Sequence, residues 1–166
     1  MSTSVAVHSY VYSVNFVTDK MLLSLKEVIR ESGLNPAKMT DDWAVLEAGI
    51  RTWLEGRYLE RLVLEVYSKD EAKLVHRWDF DIDYDTDGDG SMWVDTDEIL
   101  YNLRKAGLTP KDCEYRFVAI NAPGWPQVNG WSATTLRATD GFVRQSIGRT
   151  IDGSGIAAST AYWRRT

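Results

Sequence analysis

The feature that most limits the fold is a strict alternation of side-chain character from residue 74 to residue 84. One set of alternate residues is apolar or aromatic except for a histidine: Leu74, His76, Trp78, Phe80, Ile82 and Tyr84. The other set is charged: Arg77, Asp79, Asp81 and Asp83. Because strand side chains point alternately to opposite faces, this pattern predicts a strand with one buried face and one wet, acidic face. It favours an antiparallel sheet that is covered on one side only.

Weaker patterns predict the remaining strands and the helices. Alternation predicts strands over residues 5–16, 62–67 and 113–120. Helical spacing, with cap and stop residues, predicts helices from residue 18 to 33, from about residue 36 or 40 to 56, and from 95 to 107. The last of these begins with a capping box, Asp95 to Glu98. This order predicts an α+β fold in which three main helices pack on a largely antiparallel sheet.

The C-terminal stretch, residues 121–166, differs from the rest of the chain. It opens with turn residues and tryptophan, is rich in Gly, Ser, Thr and Ala, and has neither a sustained helical period nor the long alternation of a core strand. It carries five arginines against two aspartates, a net charge of +3, whereas the preceding residues carry −8. We interpret it as a mildly basic tail that docks on an acidic body, residues 1–120, in more than one way.

Length and charge exclude several classes of function. The 166 residues suit one domain, and the single cysteine, Cys113, excludes an intramolecular disulfide and favours a reducing compartment. No signal-peptide pattern and no apolar run of about 18 residues is visible, so we expect a cytoplasmic protein without a membrane partner. A net charge of −5 argues against nucleic-acid binding, which depends on neutralising phosphates.

An acidic loop follows the alternating strand. Asp85, Asp87 and Asp89, followed by Gly90, match the start of a calcium-binding loop. The match then fails, because Thr96 occupies the position of the bidentate glutamate and a strand precedes the loop where a helix is required. We interpret the loop as a turn without a metal, and keep a calcium-dependent binding module as the alternative function.

The sequence gives little support for a catalytic function. His8 and His76 lie in predicted strands without nearby metal ligands, and His76 is on the apolar face, as expected of a core histidine. Cys113 precedes a strand rather than a helix, so nothing is expected to activate its thiol. No phosphate-binding loop or dinucleotide fingerprint is present. We therefore expect no enzyme and no cofactor, and rank a hydrolase last.

Many short segments together carry a family resemblance. They include Tyr10-Val11-Tyr12-Ser13-Val14 with Val17-Thr18-Asp19, Trp53-Leu54, Trp78-Asp79-Phe80-Asp81-Ile82, Asp87-Gly88-Asp89-Gly90-Ser91-Met92-Trp93, Gly130-Trp131-Ser132, Thr139-Asp140-Gly141-Phe142-Val143 and Tyr162-Trp163-Arg164. Taken together the chain resembles bacterial HORMA-domain proteins of CBASS anti-phage operons. It is most similar to the subtype from operons that encode two HORMA proteins.

The resemblance implies a HORMA fold in which residues 121–166 form a mobile C-terminal safety belt. In this family the belt wraps a short peptide, the closure motif, against the sheet. The source of the peptide is left open between a phage protein, a second HORMA protein of the operon and the chain itself. The residues expected to bind it are Tyr115, Phe117, Ala119, Trp131, Phe142, Val143, Tyr162 and Trp163.

The resemblance also implies two protein partners. The peptide-bound form would engage a cGAS-like nucleotidyltransferase and switch on synthesis of a cyclic nucleotide messenger. A hexameric AAA+ ATPase would then reopen the domain by pulling on the N-terminus, here Ser2, Thr3 and Ser4. In this reading the acidic loop is a family feature rather than a calcium site.

Overall fold

A six-stranded antiparallel sheet forms the centre of the molecule. The computed structural model describes residues 10–107 and 112–165. The strands are β1 (Leu59–Ser68), β2 (Leu74–Tyr84), β3 (Trp93–Val94), β4 (Cys113–Asn121), β5 (Phe142–Asp152) and β6 (Ile156–Arg165). Their order across the sheet is β3-β5-β6-β2-β1-β4, and every neighbouring pair is antiparallel.

Within the described residues four helices accompany the sheet: α1 (Tyr10–Glu31), α2 (Ala37–Asp41), α3 (Trp43–Glu55) and α4 (Thr96–Ala106). The predicted α+β class and its three main helices are confirmed, with α2 as a short addition. Asp95 accepts a hydrogen bond from the Glu98 N–H at 3.1 Å, so the predicted cap of α4 is present. Among the described residues, none of the helices is long and apolar enough to cross a membrane.

The core lies between the helices and one face of the sheet. Leu62 and Leu64 of β1 are register partners of Phe80 and Trp78 of β2, and all four side chains are almost fully buried. Residues of α1, including Val17, pack in the same cluster and are fully buried. The apolar set of alternate β2 residues therefore faces the core, as the sequence predicted.

The N-terminal strand prediction for residues 5–16 is wrong from residue 10 onward, because α1 begins at Tyr10; residues 5–9 lie outside the described part. Val14 and Val17 are fully buried against the core, and the Tyr10 hydroxyl donates to the Leu54 carbonyl at 2.7 Å. Packing of this helical face outweighs the strand preference of a run rich in Val and Tyr.

The interpretation of the tail as lacking core strands is also wrong. β6 lies between β5 and β2 inside the sheet, and Ile156, Ala158 and Tyr162 belong to the buried core. A strand that is buried on both faces shows no alternation of polar and apolar residues. The small residues of β6, such as Ala157 and Ala161, are 1% exposed on the face opposite the helices, which explains the missing pattern.

The polar face of β2 is only partly wet. Asp79 is fully buried and pairs with Arg77, whose Nε lies 2.7 Å from the carboxylate, and the Trp163 indole N–H also donates to Asp79 at 3.0 Å. The prediction of a solvated aspartate is therefore wrong at this position. Asp81 and Asp83 remain partly exposed, as predicted. A guanidinium and an indole compensate for the burial of the Asp79 carboxylate.

His76 lies on the core side of β2, as the alternation predicted. Its Nδ1 accepts a hydrogen bond from the Trp78 indole N–H at 3.1 Å. Burial lowers the pKa of His76 from 6.5 to about 4, because the charged imidazolium is poorly solvated there. Protonating Nδ1 would also remove the acceptor of the Trp78 hydrogen bond.

We expect His76 to make the fold less stable in mild acid. Below about pH 6.5 His76 becomes protonated in the unfolded chain, whereas in the folded protein it stays neutral down to about pH 4. The unfolded state therefore binds more protons in this window, and the free energy of unfolding falls as the pH falls. Allowing for partial exposure, the loss is about 2 kcal/mol. His76→Gln keeps an acceptor but does not titrate. Urea melts between pH 6.5 and pH 4 should show a smaller loss of unfolding free energy for His76→Gln than for the unaltered protein. Equal losses would show that His76 is not the titrating group.

Candidate functional site

The outer edge of β4 is the candidate site. Across residues 10–107 and 112–165, β4 pairs with β1 only. The Tyr115 carbonyl accepts a hydrogen bond from the Lys38 ammonium at 3.4 Å, so it points away from β1. Because backbone groups of alternate strand residues point the same way, Phe117 and Ala119 also turn their N–H and C=O outward. The edge therefore presents main-chain donors and acceptors.

A slot runs along this edge. The chain that follows β4 folds back beside it and leaves two cavities, of about 280 and 480 Å³. We call the space between β4 and residues 125–134 the edge slot. Its lining comes from β4, α3 and the returning segment, and includes Trp53, Tyr115, Phe117, Ala119, Asn121, Trp125, Trp131 and Thr134.

The returning segment is fixed to α3 on the helix side of the slot. The Trp131 indole N–H donates to the Val45 carbonyl at 2.8 Å, and its ring lies so close to Gly49 that a Cβ there would collide with Nε1. Gly130 has φ +91°, and a Cβ on it would meet Val45 at 2.5 Å. Both glycines are thus required for this close approach. The Trp53 indole N–H donates to the Pro126 carbonyl at 2.8 Å.

On the polar face of the sheet, the same segment is fixed by a fully buried carboxylate, Glu65 of β1. It accepts hydrogen bonds from Arg116 Nε at 2.6 Å, the Arg137 backbone N–H at 2.7 Å and Arg137 Nη1 at 2.8 Å. Arg116 also donates to the Thr134 hydroxyl at 2.9 Å. The Arg137 guanidinium lies 3.6 Å from the centre of the Tyr67 ring. We call this group the Glu65 clamp.

Tyr115 closes the α2 end of the slot. Its hydroxyl donates to the Asn35 carbonyl at 2.7 Å and accepts from the Met39 N–H at 3.1 Å. Burial raises the pKa of Tyr115, so the hydroxyl stays protonated. The ring is therefore held between β4 and α2 by two hydrogen bonds, and this end of the slot has a fixed shape.

The structure brings together half of the predicted peptide-binding residues. Tyr115, Phe117, Ala119 and Trp131 line the slot. The remaining four lie in β5 and β6, on the other half of the sheet: Phe142, Val143, Tyr162 and Trp163. Tyr162 stacks on Trp78 at 5.0 Å between ring centres, inside the core. Ser2, Thr3 and Ser4 lie outside the described residues.

Sequence reasoning missed several residues of the site. Trp53 entered as part of a segment that carries the family resemblance, Glu65 was not singled out, and neither was connected with the tail. Asn121 was assigned only to the start of the tail, yet its Oδ1 is buried without a hydrogen-bond partner among the described residues. A cluster of tryptophan and turn residues directly after a strand was the available signal, since Trp is favoured at recognition surfaces.

Cys113 and His76, two of the groups considered for catalysis, are not arranged for it. Burial raises the pKa of the Cys113 thiol, and the nearby Asp112 acts in the same direction, so the thiolate is disfavoured. His76 is occupied by the Trp78 hydrogen bond. His8 lies outside the described residues.

Two carboxylates of the acidic loop are turned to separate partners. Asp85 pairs with Arg57, and Asp89 accepts hydrogen bonds from the backbone N–H and hydroxyl of Ser91, both at 2.8 Å. These bonds lower the pKa of Asp89. Within the described residues, no group of three or more His, Cys, Asp or Glu side chains could hold a metal ion.

We expect the double substitution Asp87→Asn and Asp89→Asn to leave the melting temperature unchanged. An asparagine at position 89 would still accept from Ser91 through its side-chain oxygen, and exposed charges contribute little. Thermal melts with and without EDTA check this. A chelator-sensitive melt of the unaltered protein would instead support calcium binding at this loop.

The fold matches solved structures over nearly its whole length. A chain of the Mitotic Checkpoint Complex is 12% identical, with a TM-score of 0.74, covering 93% of this chain and 99% of that one. C. elegans HTP-2 bound to the HIM-3 closure motif is 15% identical, with a TM-score of 0.69 and coverage of 95% and 92%. A chain of the E. coli MS115-1 HORMA:CdnC:Trip13 complex is 11% identical, with a TM-score of 0.60 and coverage of 100% and 97%.

Identities this low show the shared fold alone. No curated protein matches the chain. The sequence itself, however, matches the family model Bacterial HORMA domain 2 over residues 2–166. The match spans almost every residue, including the returning segment and both tail strands. The family resemblance of the sequence and its expected fold are therefore confirmed, and the chain belongs to the Bacterial HORMA domain 2 family.

Proposed function

We propose that this protein is a peptide-binding signalling adaptor of bacterial anti-phage defence, and that the edge slot holds a closure-motif peptide as an added strand beside β4. The observation that carries the proposal is a strand edge, unpaired within the described part of the chain, that the chain's own returning segment encloses. A peptide added to a sheet edge gains affinity from main-chain hydrogen bonds and specificity from pockets for alternate side chains.

In this proposal residues 121–166 form the safety belt and residues 1–120 the body that it closes on, with the belt strands β5 and β6 docked in the sheet and β6 contributing to the buried core. The belt reaches α3 through Trp131 and crosses the polar face of the sheet at the Glu65 clamp. A peptide bonded to β4 would lie beneath a segment that is attached at both sides. Its release would require at least one attachment to break, which makes release slow and suits an ATP-driven remodeller.

The proposed partners follow from the family. One relative of the same fold is bound to a closure motif, and another belongs to a HORMA:CdnC:Trip13 complex. For this chain we propose a closure-motif peptide, a cGAS-like nucleotidyltransferase that the peptide-bound form activates, and an AAA+ ATPase that reopens it. The proposal places these events in the cytoplasm and assigns the chain no catalytic residue and no cofactor.

A selection of random linear peptides tests the proposal. The purified full chain is immobilised and used to select from a phage-displayed library of peptides about ten residues long, enough to span a typical strand. We expect clones that bind through short extended segments and dissociate slowly. Competition between the selected peptides checks that they share one site. Failure to enrich any peptide above an unrelated immobilised protein would overturn the proposal.

The N-terminus provides a separate prediction. Deleting residues 1–4 should leave peptide affinity unchanged but prevent reopening by the cognate ATPase, because the family resemblance implies that the ATPase pulls on the N-terminus. Release of a fluorescent peptide in the presence of the ATPase and ATP measures this. If release from the shortened chain is as fast as from the full chain, the ATPase engages another segment.

A further inference from the structure

Three tryptophan rings converge at the Asn121 end of the edge slot. Trp53 of α3 forms the back wall and is 1% exposed. The Trp125 ring stands at 88° to it with 5.7 Å between centres, and the Trp131 ring at 75° with 4.9 Å between centres. We call these three residues the tryptophan box. Ala119 borders the same cavity of about 280 Å³, and its small side chain leaves this space open.

Three indole rings wall this end, and no charged side chain lines the cavity in the part of the chain that the structure describes. Two of the indole N–H groups are already used, by Trp53 to the Pro126 carbonyl and by Trp131 to the Val45 carbonyl. An apolar side chain fits such a wall, because it needs neither a hydrogen-bond partner nor a counter-charge when it is buried.

The register of the sheet decides which side chains of a peptide reach this end. Ala119 and Phe117 are register partners of the core residues Leu62 and Leu64, so all four project toward the helices. A strand added beside β4 would direct alternate side chains to that same side. The peptide residue beside Ala119 therefore enters the tryptophan box.

We infer that the edge slot selects peptides with a bulky apolar side chain at the position beside Ala119. Burial of such a side chain among three indole rings removes a large apolar area from water. The inference rests on the proposed function and adds to it the chemistry of the ligand.

The selected peptides test the inference. We expect them to share Leu, Ile, Met or Phe at one position, and substitution of that residue by Ala or Lys to weaken binding by at least about tenfold. Ala119→Leu fills the box from the β4 side. We expect this variant to bind the selected peptide more weakly than the unaltered chain does, and to bind the Ala-substituted peptide more tightly than the selected one. Trp125→Ala should instead reduce the difference in affinity between the two peptides. Melts of both variants confirm that they fold.

The outcomes separate the inference from the proposed function. Peptides that bind but show Lys or Arg at the shared position, or no shared residue, overturn the tryptophan-box inference and leave peptide binding in place. The tryptophan-box inference is also overturned if Ala119→Leu still binds the bulky peptide more tightly than its Ala-substituted form. If no peptide is enriched at all, the proposed function fails and the inference fails with it.

Discussion

Replacing Ala119 by proline is expected to abolish peptide binding and to leave the fold intact. The Ala119 N–H points away from β1, so proline removes a donor that only an added strand would use. The proline ring also projects into the space that the peptide backbone would occupy. We expect affinity for a selected peptide to fall by about a hundredfold, which corresponds to about 2.7 kcal/mol. Fluorescence anisotropy with a labelled peptide measures it.

The neighbouring residue supplies the matched control. Val118 is 4% exposed and pairs with Val63, and its N–H faces β1. Val118→Pro should therefore lose a ladder hydrogen bond and destabilise the fold by about 3 kcal/mol or more. Urea melts of the two variants should differ accordingly. If Ala119→Pro unfolds as readily, the assigned edge orientation is wrong, and if it binds peptide normally, the peptide does not pair with β4.

Removing the charge of Glu65 is expected to accelerate peptide release. Glu65→Gln leaves the guanidinium groups of Arg116 and Arg137 without their shared carboxylate in a partly buried site. Breaking such a group typically costs about 3 kcal/mol. Arg137 belongs to the proposed belt and also donates its backbone N–H to Glu65. Part of the lost stabilisation should therefore weaken the attachment of the belt to the sheet, so that the belt opens more often. We expect the dissociation rate of a labelled peptide to rise at least about tenfold.

Asp83→Asn is the control for charge removal on the same face. Its ion pair with Arg149 is exposed, so neither stability nor release should change by more than about 0.5 kcal/mol. Stopped-flow release and denaturant melts give both quantities for both variants. A Glu65→Gln protein that loses stability but releases peptide at the normal rate would show that the clamp supports the sheet and does not retain the peptide.

The sequence by itself determined the parts of the fold that depend on neighbours in the chain. The alternation over residues 74–84 gave the correct strand and the correct core face, because a strand with one covered face repeats every two residues. The capping box at Asp95 located the start of α4, since the bond from the Glu98 N–H closes within one turn. The strand predicted over residues 113–120 is likewise present as β4, and the same two-residue repeat puts Tyr115, Phe117 and Ala119 on one face of it.

Only the tertiary structure decided what depends on distant residues. Tyr10 begins a helix because Val14 and Val17 pack on the core, and β6 is a strand because β2 and β5 flank it. The burial of Asp79 follows from Arg77 and Trp163. The edge slot needs three remote pieces of chain, at α3, β4 and residues 125–137, whose contacts span up to 86 positions. Such long-range contacts produce no periodic pattern in the sequence, because each one forms only when the complete fold brings the distant segments together.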